Sequence, residues 1–308
     1  MNYEIKIDNA VEAKGAIDLG RLAKIAEGIR RISEGALQIR LRGISLTKGR
    51  KKVSLQNALK VTLTDIKEGS TVLCLSTEPF EKTLEPYQTD IFRAEAQAEL
   101  PAETPMSLFI KSFQYALTDE DPQELLDKPL LRELKSLKKA FLSEGETMRF
   151  SNQGSLPVLE LTQKDFTKIK VLEDEIPDPQ PVVLNGIVEL LQYSKLKVKI
   201  KTAEGIVDGF LSDDLSSEDI APFWGKEITI TGTSHFKPRG RSVIEIERVF
   251  EPGAGDDFFS KRPKSETVDM QIARQIREKG SNPLADIVGK WPGEETDEEF
   301  EELLKTLD

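Results

Sequence analysis

The sequence predicts an α+β protein: an N-terminal domain of antiparallel sheet and helices, a small five-stranded β-barrel, and an extended helical C-terminal tail. Two-residue and 3.6-residue periodicities mix in the first half, five alternating runs follow residue 181, and the end of the chain is rich in Gly, Pro and charge. The chain, with 308 residues of which 38% are apolar, can bury more than one core. We expect an α+β domain at 1–172, a Pro-rich linker at 173–181, the barrel at 182–250 and a C-terminal arm with an acidic amphipathic helix at 251–308.

The N-terminal domain is expected to alternate between strands and helices. YEIKID (3–8) alternates like a strand, and Asp18 has the character of an N-cap for a helix that runs to about Ser33. Pro129 suits the first turn of a later helix. The remaining expected elements are strands at 36–41, 61–66 and 70–77, helices at 105–118 and 129–142, and a strand-and-helix piece at 145–172.

The linker is predicted from its prolines. Pro177, Pro179 and Pro181 stand within EDEIPDPQP, and each lacks an amide donor and fixes φ. Such a segment is typical of an extended connector between domains.

The barrel is predicted from five short strand-like runs and one short helix. The helix lies between the third and fourth runs and has Ser216 or Ser217 as its cap. This order is typical of a Greek-key barrel of the OB type, and an SH3-like barrel remains the alternative. The runs are 182–191, 195–201, 205–211, 226–233 and 242–249.

Composition argues against most enzyme classes. With one histidine (His235) and one cysteine (Cys74), the chain has too few ligands for a His/Cys zinc site and no partner for a disulfide. We find no phosphate-binding or dinucleotide-binding glycine motif. We therefore expect no catalytic residue, metal or cofactor, with a carboxylate-bound magnesium enzyme as a remaining alternative.

Localisation is expected to be cytoplasmic. No apolar run reaches the roughly 18–20 residues of a membrane span, and the N-terminus has no basic start followed by an apolar stretch. A lone cysteine suits a reducing compartment. We accordingly expect no membrane partner.

A nucleic-acid site is possible in the loop SHFKPRGRS (234–242). Phe236 could stack on a base, while Lys237, Arg239 and Arg241 could neutralise phosphates. The net charge of −11 opposes such binding elsewhere on the chain. The same residues also suit an ordinary solvated turn, with Pro238 and Gly240 supplying its geometry.

The end of the chain carries the most specific pattern. Thr296 and Glu299 have capping-box spacing, and an apolar stripe follows on an otherwise acidic helix. From Gly289 onward, eight acidic residues and two lysines give a net charge of −6. A helix this short has only marginal stability in water on its own. The apolar stripe must therefore be buried against the chain's own first domain or against a partner. The apolar residues of this segment are few, and Gly and Pro residues separate them. Both features favour binding to a partner over docking on the chain's own first domain.

The segment PLADIVGKWPGEETDEEFEELLKTLD (283–308) resembles the toxin-binding tail of bacterial type II antitoxins that neutralise VapC-like PIN-domain ribonucleases. The large N-terminal part of this chain departs from that family, whose members are much shorter. The positions that match the family pattern are Ile287, Gly289, Trp291, Pro292, Gly293, Asp297, Glu298, Phe300, Leu303 and Leu304.

The resemblance implies a non-enzymatic inhibitor whose partner is a toxin ribonuclease. Such a tail fills an apolar groove beside the metal-binding carboxylates of the nuclease and competes for its basic RNA path. A cation of the arm, Arg274, Arg277 or Lys290, would reach those carboxylates. The expected partner-binding residues are Ile287, Trp291, Pro292, Phe300, Leu303, Leu304 and Leu307.

Overall fold

The structure is a computed structural model, and the α+β class predicted from the sequence is confirmed. Residues Met1–Ser265 form one compact unit, and the described residues after Ser265 belong to a second. The structure describes residues 1–13, 15–45, 53–67, 71–84, 100–118, 123–152, 158–192, 196–212 and 214–279.

The first half is an antiparallel sheet covered by helices. Its strand order is β2-β3-β1-β4-β5, with β1 in the centre. Alternation along β1 buries Tyr3, Ile5 and Ile7 against the helices. The strands are β1 (Asn2–Asp8), β2 (Val61–Lys67), β3 (Thr71–Thr77), β4 (Thr147–Asn152) and β5 (Leu159–Thr162); the helices are α1 (Leu19–Arg42), α2 (Val53–Ala58), α3 (Phe80–Thr83), α4 (Pro105–Leu117), α5 (Lys128–Ser136) and α6 (Asp165–Glu175).

Helix α1 is longer than predicted, and the strand expected at 36–41 is wrong. Asp18 caps the helix as expected, accepting from the Arg21 amide at 2.9 Å. Instead of ending near Ser33, the helix continues to Gly43, whose φ of 89° makes a left-handed C-cap. Residues 32–40 are all buried, polar ones such as Gln38 and Arg40 included, and the alternation of apolar and polar residues over 37–41 imitates the two-residue period of a strand.

Helices α4 and α5 contribute further buried residues to the first core. Thr104 caps α4 in a reciprocal capping box with Ser107, and Asp127 caps α5. Asp127 is buried and also accepts from the amide and the hydroxyl of Ser45, at 2.7 and 2.5 Å. One carboxylate therefore fixes both the start of α5 and the segment that follows α1.

The second half is the predicted five-stranded barrel, and it is closed. Neighbouring strands follow the order β6-β7-β8-β10-β9, with β9 closing on β6; β8 and β10 are the parallel pair. Gly186 lies so close to β7 that a Cβ would come 2.6 Å from the Lys201 carbonyl oxygen. The elements are β6 (Gln180–Gln192), β7 (Lys197–Thr202), β8 (Gly205–Leu211), α7 (Ser217–Ile220), β9 (Glu227–Phe236) and β10 (Ser242–Phe250).

The segments flanking the barrel differ from the expected linker and arm. Helix α6 includes residues up to Glu175 and β6 begins at Gln180, so the irregular connection covers only 176–179. Ile176 within it is buried in the first core. After β10, residues 251–265 belong to the compact unit, where Asp256 accepts from the Thr229 hydroxyl at 2.5 Å. The irregular connection between the two halves is therefore only four residues long.

The arm begins with helix α8 (Val268–Lys279), in which Val268, Ile272 and Ile276 recur every four residues. The expected acidic helix and the residues Ile287, Lys290, Trp291, Pro292, Phe300, Leu303, Leu304 and Leu307 lie outside the described residues. The interpretation of that segment therefore stays a prediction.

A buried ionic cluster anchors the start of α1. The Arg21 guanidinium donates to Glu12, to Glu146 at 2.9 Å and to the Ala140 carbonyl oxygen at 2.9 Å. The Arg21 and Glu146 side chains are 1% and 0% exposed. Glu146 also accepts from the Leu142 amide at 2.7 Å. A charge so buried is tolerated only while its partners remain.

We expect Arg21→Met to lower the free energy of unfolding by about 3–5 kcal/mol, because it leaves the buried Glu146 carboxylate without its cation. Urea denaturation measures the change. The matched control is Arg31→Met, whose pair with Glu27 is half exposed and screened by water, and which should leave the midpoint nearly unchanged. Equal effects of the two substitutions would contradict this account of the cluster.

Candidate functional site

The β9–β10 loop docks on the first half of the protein instead of projecting into solvent. Strand β9 alternates, and the buried phase that contains Ile228 and Ile230 continues to Phe236. Phe236 is 3% exposed and belongs to the hydrophobic core of the first half, although it follows a barrel strand. Because the ring is buried, it cannot stack on a base in this structure, and the prediction that it does so is wrong.

Lys237, the next residue, is also buried. Its ammonium group donates to the Glu124 carbonyl oxygen at 2.7 Å. Desolvation lowers the pKa of Lys237 to about 8; the nearby Asp127 and Glu124 carboxylates oppose the shift, while Lys197 adds to it. The predicted surface contact between Lys237 and a nucleic acid is thus replaced by an internal one.

Arg239 and Arg241 lie at the exposed end of the same loop. Arg241 forms an ion pair with the Glu124 carboxylate, and its carbonyl oxygen accepts from the Lys237 amide at 2.9 Å. Arg239 has a positive φ of 62°, which lets the loop turn within three residues. Of the four residues predicted for nucleic-acid contact, these two remain at the surface.

The docked loop forms one wall of a cleft of about 660 Å³, which we call the basic cleft. Its other walls are the C-terminal end of α1, Glu124 with Leu125, and the β7–β8 face of the barrel. Seven basic and two acidic side chains line it, whereas the whole chain has a net charge of −11. The charged lining residues are Arg40, Arg42, Lys197, Lys237, Arg239, Arg241, Arg262, Glu124 and Asp208.

Two of these cations, Lys197 and Arg262, lie on the barrel side of the cleft and are bonded to barrel residues. Lys197 forms an ion pair with Asp208 at 3.5 Å. The Arg262 guanidinium donates to the Ile206 carbonyl oxygen, and the Arg262 amide donates to Glu204 at 3.0 Å. Gly205 makes this approach possible, since its φ is 115° and a Cβ there would lie 2.9 Å from the Arg262 guanidinium.

Sequence reasoning found only the loop part of this cleft. The sequence predicts Arg40 inside a strand and Arg42 just after it, and Lys197 and Arg262 are far from the loop in sequence. The available signal was the continued alternation from Ile228 to Phe236, which places the ring on the buried face. Nothing in the spacing of the other cations indicates that they meet.

A second cavity, of about 780 Å³, lies between α1 and the sheet. Apolar side chains such as Ile25, Leu55 and Leu73 dominate its lining, and Arg30 and Glu34 at its edge form an i,i+4 ion pair at 3.5 Å. The lining is that of a hydrophobic core, with no group positioned for chemistry among its described residues.

Helix α8 presents apolar side chains to solvent. Val268, Met270 and Ile276 are 66%, 51% and 39% exposed. Of the predicted contact cations, Arg274 forms ion pairs with Glu266 at 3.2 Å and Glu278 at 3.6 Å.

No family model, curated protein or solved structure matches this chain. Among the described residues, none of the helices has the length and apolar character needed to cross a membrane. Within the same ranges, no group of three or more His, Cys, Asp or Glu side chains is placed to hold a metal ion.

Burial of Lys237 should make the free energy of unfolding depend on pH. Its pKa falls from 10.5 to about 8 on folding, so between these values the unfolded chain binds more protons and the free energy of unfolding rises with pH. We expect this contribution to reach up to about 3 kcal/mol and to be absent in Lys237→Met. Denaturation of both proteins across this range measures the difference, and parallel pH profiles would contradict the assignment.

Proposed function

We propose that this protein is an antitoxin-like, non-enzymatic inhibitor that captures a PIN-domain ribonuclease through its C-terminal arm. The carrying observation is the pair of exposed apolar side chains, Val268 and Ile276, on one side of the helix that begins the arm, followed in sequence by the segment that resembles antitoxin tails. The folded unit Met1–Ser265 would act as the body that carries the arm.

Energetics favour a partner for α8. Burying Val268 and Ile276, which lie on one side of α8, would contribute up to roughly 1.5–3 kcal/mol each, and less for Ile276, which is only 39% exposed. A twelve-residue helix gains little stability alone, so a partner groove that accepts this face would stabilise both the helix and the complex.

Charge supports a basic partner. The net charge of −6 after Gly289 would attract the RNA-binding surface of a ribonuclease, which must be basic to hold RNA. Of the cations proposed to reach the catalytic carboxylates, Arg274 already has two acidic neighbours, whereas Arg277 is exposed. Among the described residues, Arg277 therefore suits that role better, and Lys290 remains the third candidate.

The strand order of the barrel supports the OB-like assignment over the SH3-like one. Counting from β6, the closed order is 1-2-3-5-4-1, with the short helix between the third and fourth strands.

The alternative function, nucleic-acid binding through the 234–242 loop, retains support only from Arg239 and Arg241. Burial of Phe236 and Lys237 is the reason that we place it second.

The test is inhibition of a PIN-domain ribonuclease encoded in the same genome. We expect the full chain to stop RNA cleavage, and Trp291→Ala with Phe300→Ala to weaken inhibition by roughly thirty-fold or more, as loss of interface anchors does. The measurement is the inhibitor concentration that halves cleavage of a labelled RNA.

Phe258→Ala is the matched control, because it removes an aromatic ring that is 82% exposed on the compact unit. It should inhibit like the wild type. Undiminished cleavage in the presence of the wild-type chain, or full inhibition by the double variant, would refute the proposal.

A further inference from the structure

We propose that the basic cleft is a binding site for the phosphate groups of a nucleotide-sized ligand. The inference is independent of the C-terminal arm, since every residue that carries it lies within Met1–Ser265.

Charge is the first argument. Seven cations and two carboxylates line one concavity in a protein whose net charge is −11. Like charges gathered around a concave surface repel one another, and the walls of a cleft focus the resulting positive potential. The two carboxylates pair with Arg241 and Lys197, and a bound polyanion would interact favourably with the excess of positive charge that the lining still carries.

The hydrogen-bond partners are the second argument. Lys237 and Arg262 donate to the backbone carbonyl oxygens of Glu124 and Ile206. Carbonyl oxygens satisfy a donor without cancelling its charge, so these bonds orient the two cations and leave them positive. Lys237, which is buried and bonded internally, adds positive charge to the field of the cleft, whereas the exposed Arg262 is placed to contact an anion directly.

Convergence is the third argument. The cations come from the end of α1, from β7, from the β9–β10 loop and from the segment after β10. The docking of Phe236 brings these distant segments together. A cleft assembled from four segments and both halves differs from the scattered basic residues of an ordinary surface.

Size and lining indicate the ligand class. A volume of about 660 Å³ falls among small-molecule sites, which span roughly 300–1,000 Å³. Arg241 and Arg262 are exposed and have the planar guanidinium that binds phosphate oxygens in pairs. Apolar side chains such as Leu125, Ile206 and Val243 also line the cleft, where a base would pack. A nucleoside polyphosphate combines both features.

Titration calorimetry of the full chain with ATP, GTP, tripolyphosphate, adenosine and a twelve-nucleotide single strand tests the proposal. We expect at least one nucleotide to bind at low salt and weaken as salt rises. Arg241→Gln with Arg262→Gln should weaken binding by roughly ten-fold or more per arginine, the usual effect of losing a charge-assisted hydrogen bond.

The matched control is Lys201→Gln with Arg248→Gln, which removes two exposed barrel charges outside the cleft. It should bind like the wild type, and circular dichroism should show all three proteins equally folded. Tripolyphosphate binding with the same sensitivity to the variants supports recognition of phosphate. The proposal is overturned if neither nucleotides nor tripolyphosphate bind, if the control loses affinity equally, if adenosine binds as tightly as ATP, or if the oligonucleotide binds more tightly than any nucleotide.

Discussion

Phe236 connects the two halves of the folded unit, because a ring carried by a barrel strand is buried in the core of the sheet domain. Lys237 and Arg241 then fasten the same loop to the backbone and the side chain of Glu124. The short connection between α6 and β6 adds to the constraint. These contacts oppose rotation of the barrel against the sheet and hold together the walls of the basic cleft.

Charge is segregated along this chain. Basic side chains gather in the cleft, while acidic ones are densest at the C-terminal end. The two regions would attract opposite classes of partner, an anion at the cleft and a basic protein surface at the arm. In the first half, buried charges have a structural use: Asp127 caps a helix and Arg21 binds Glu146. Position in the fold, rather than residue type, separates these roles.

Local pattern predicted much of the fold but little of the cleft. The barrel strands alternate and are separated by turn residues, so their positions follow from the sequence within a few residues. The sequence predicts a strand where α1 continues over 36–41, because Gln38 and Arg40 alternate with apolar residues there, and their burial in the fold is not visible in a local pattern. Phe236 and Lys237 were expected at the surface because a loop with Pro, Gly and cations is typical of solvated turns. Docking depends on contacts more than a hundred residues away, which no local pattern encodes.

Hydrogen exchange, followed by mass spectrometry in increasing denaturant, tests the docking of Phe236 most directly. In the wild type, amides of β4 in the sheet and of β7 in the barrel should open with the same free energy, because the halves unfold together. Phe236→Ala should lower the opening free energy of β7 below that of β4. Independent opening of the two strands in the wild type, or identical exchange in the variant, would show that this ring does not join the halves.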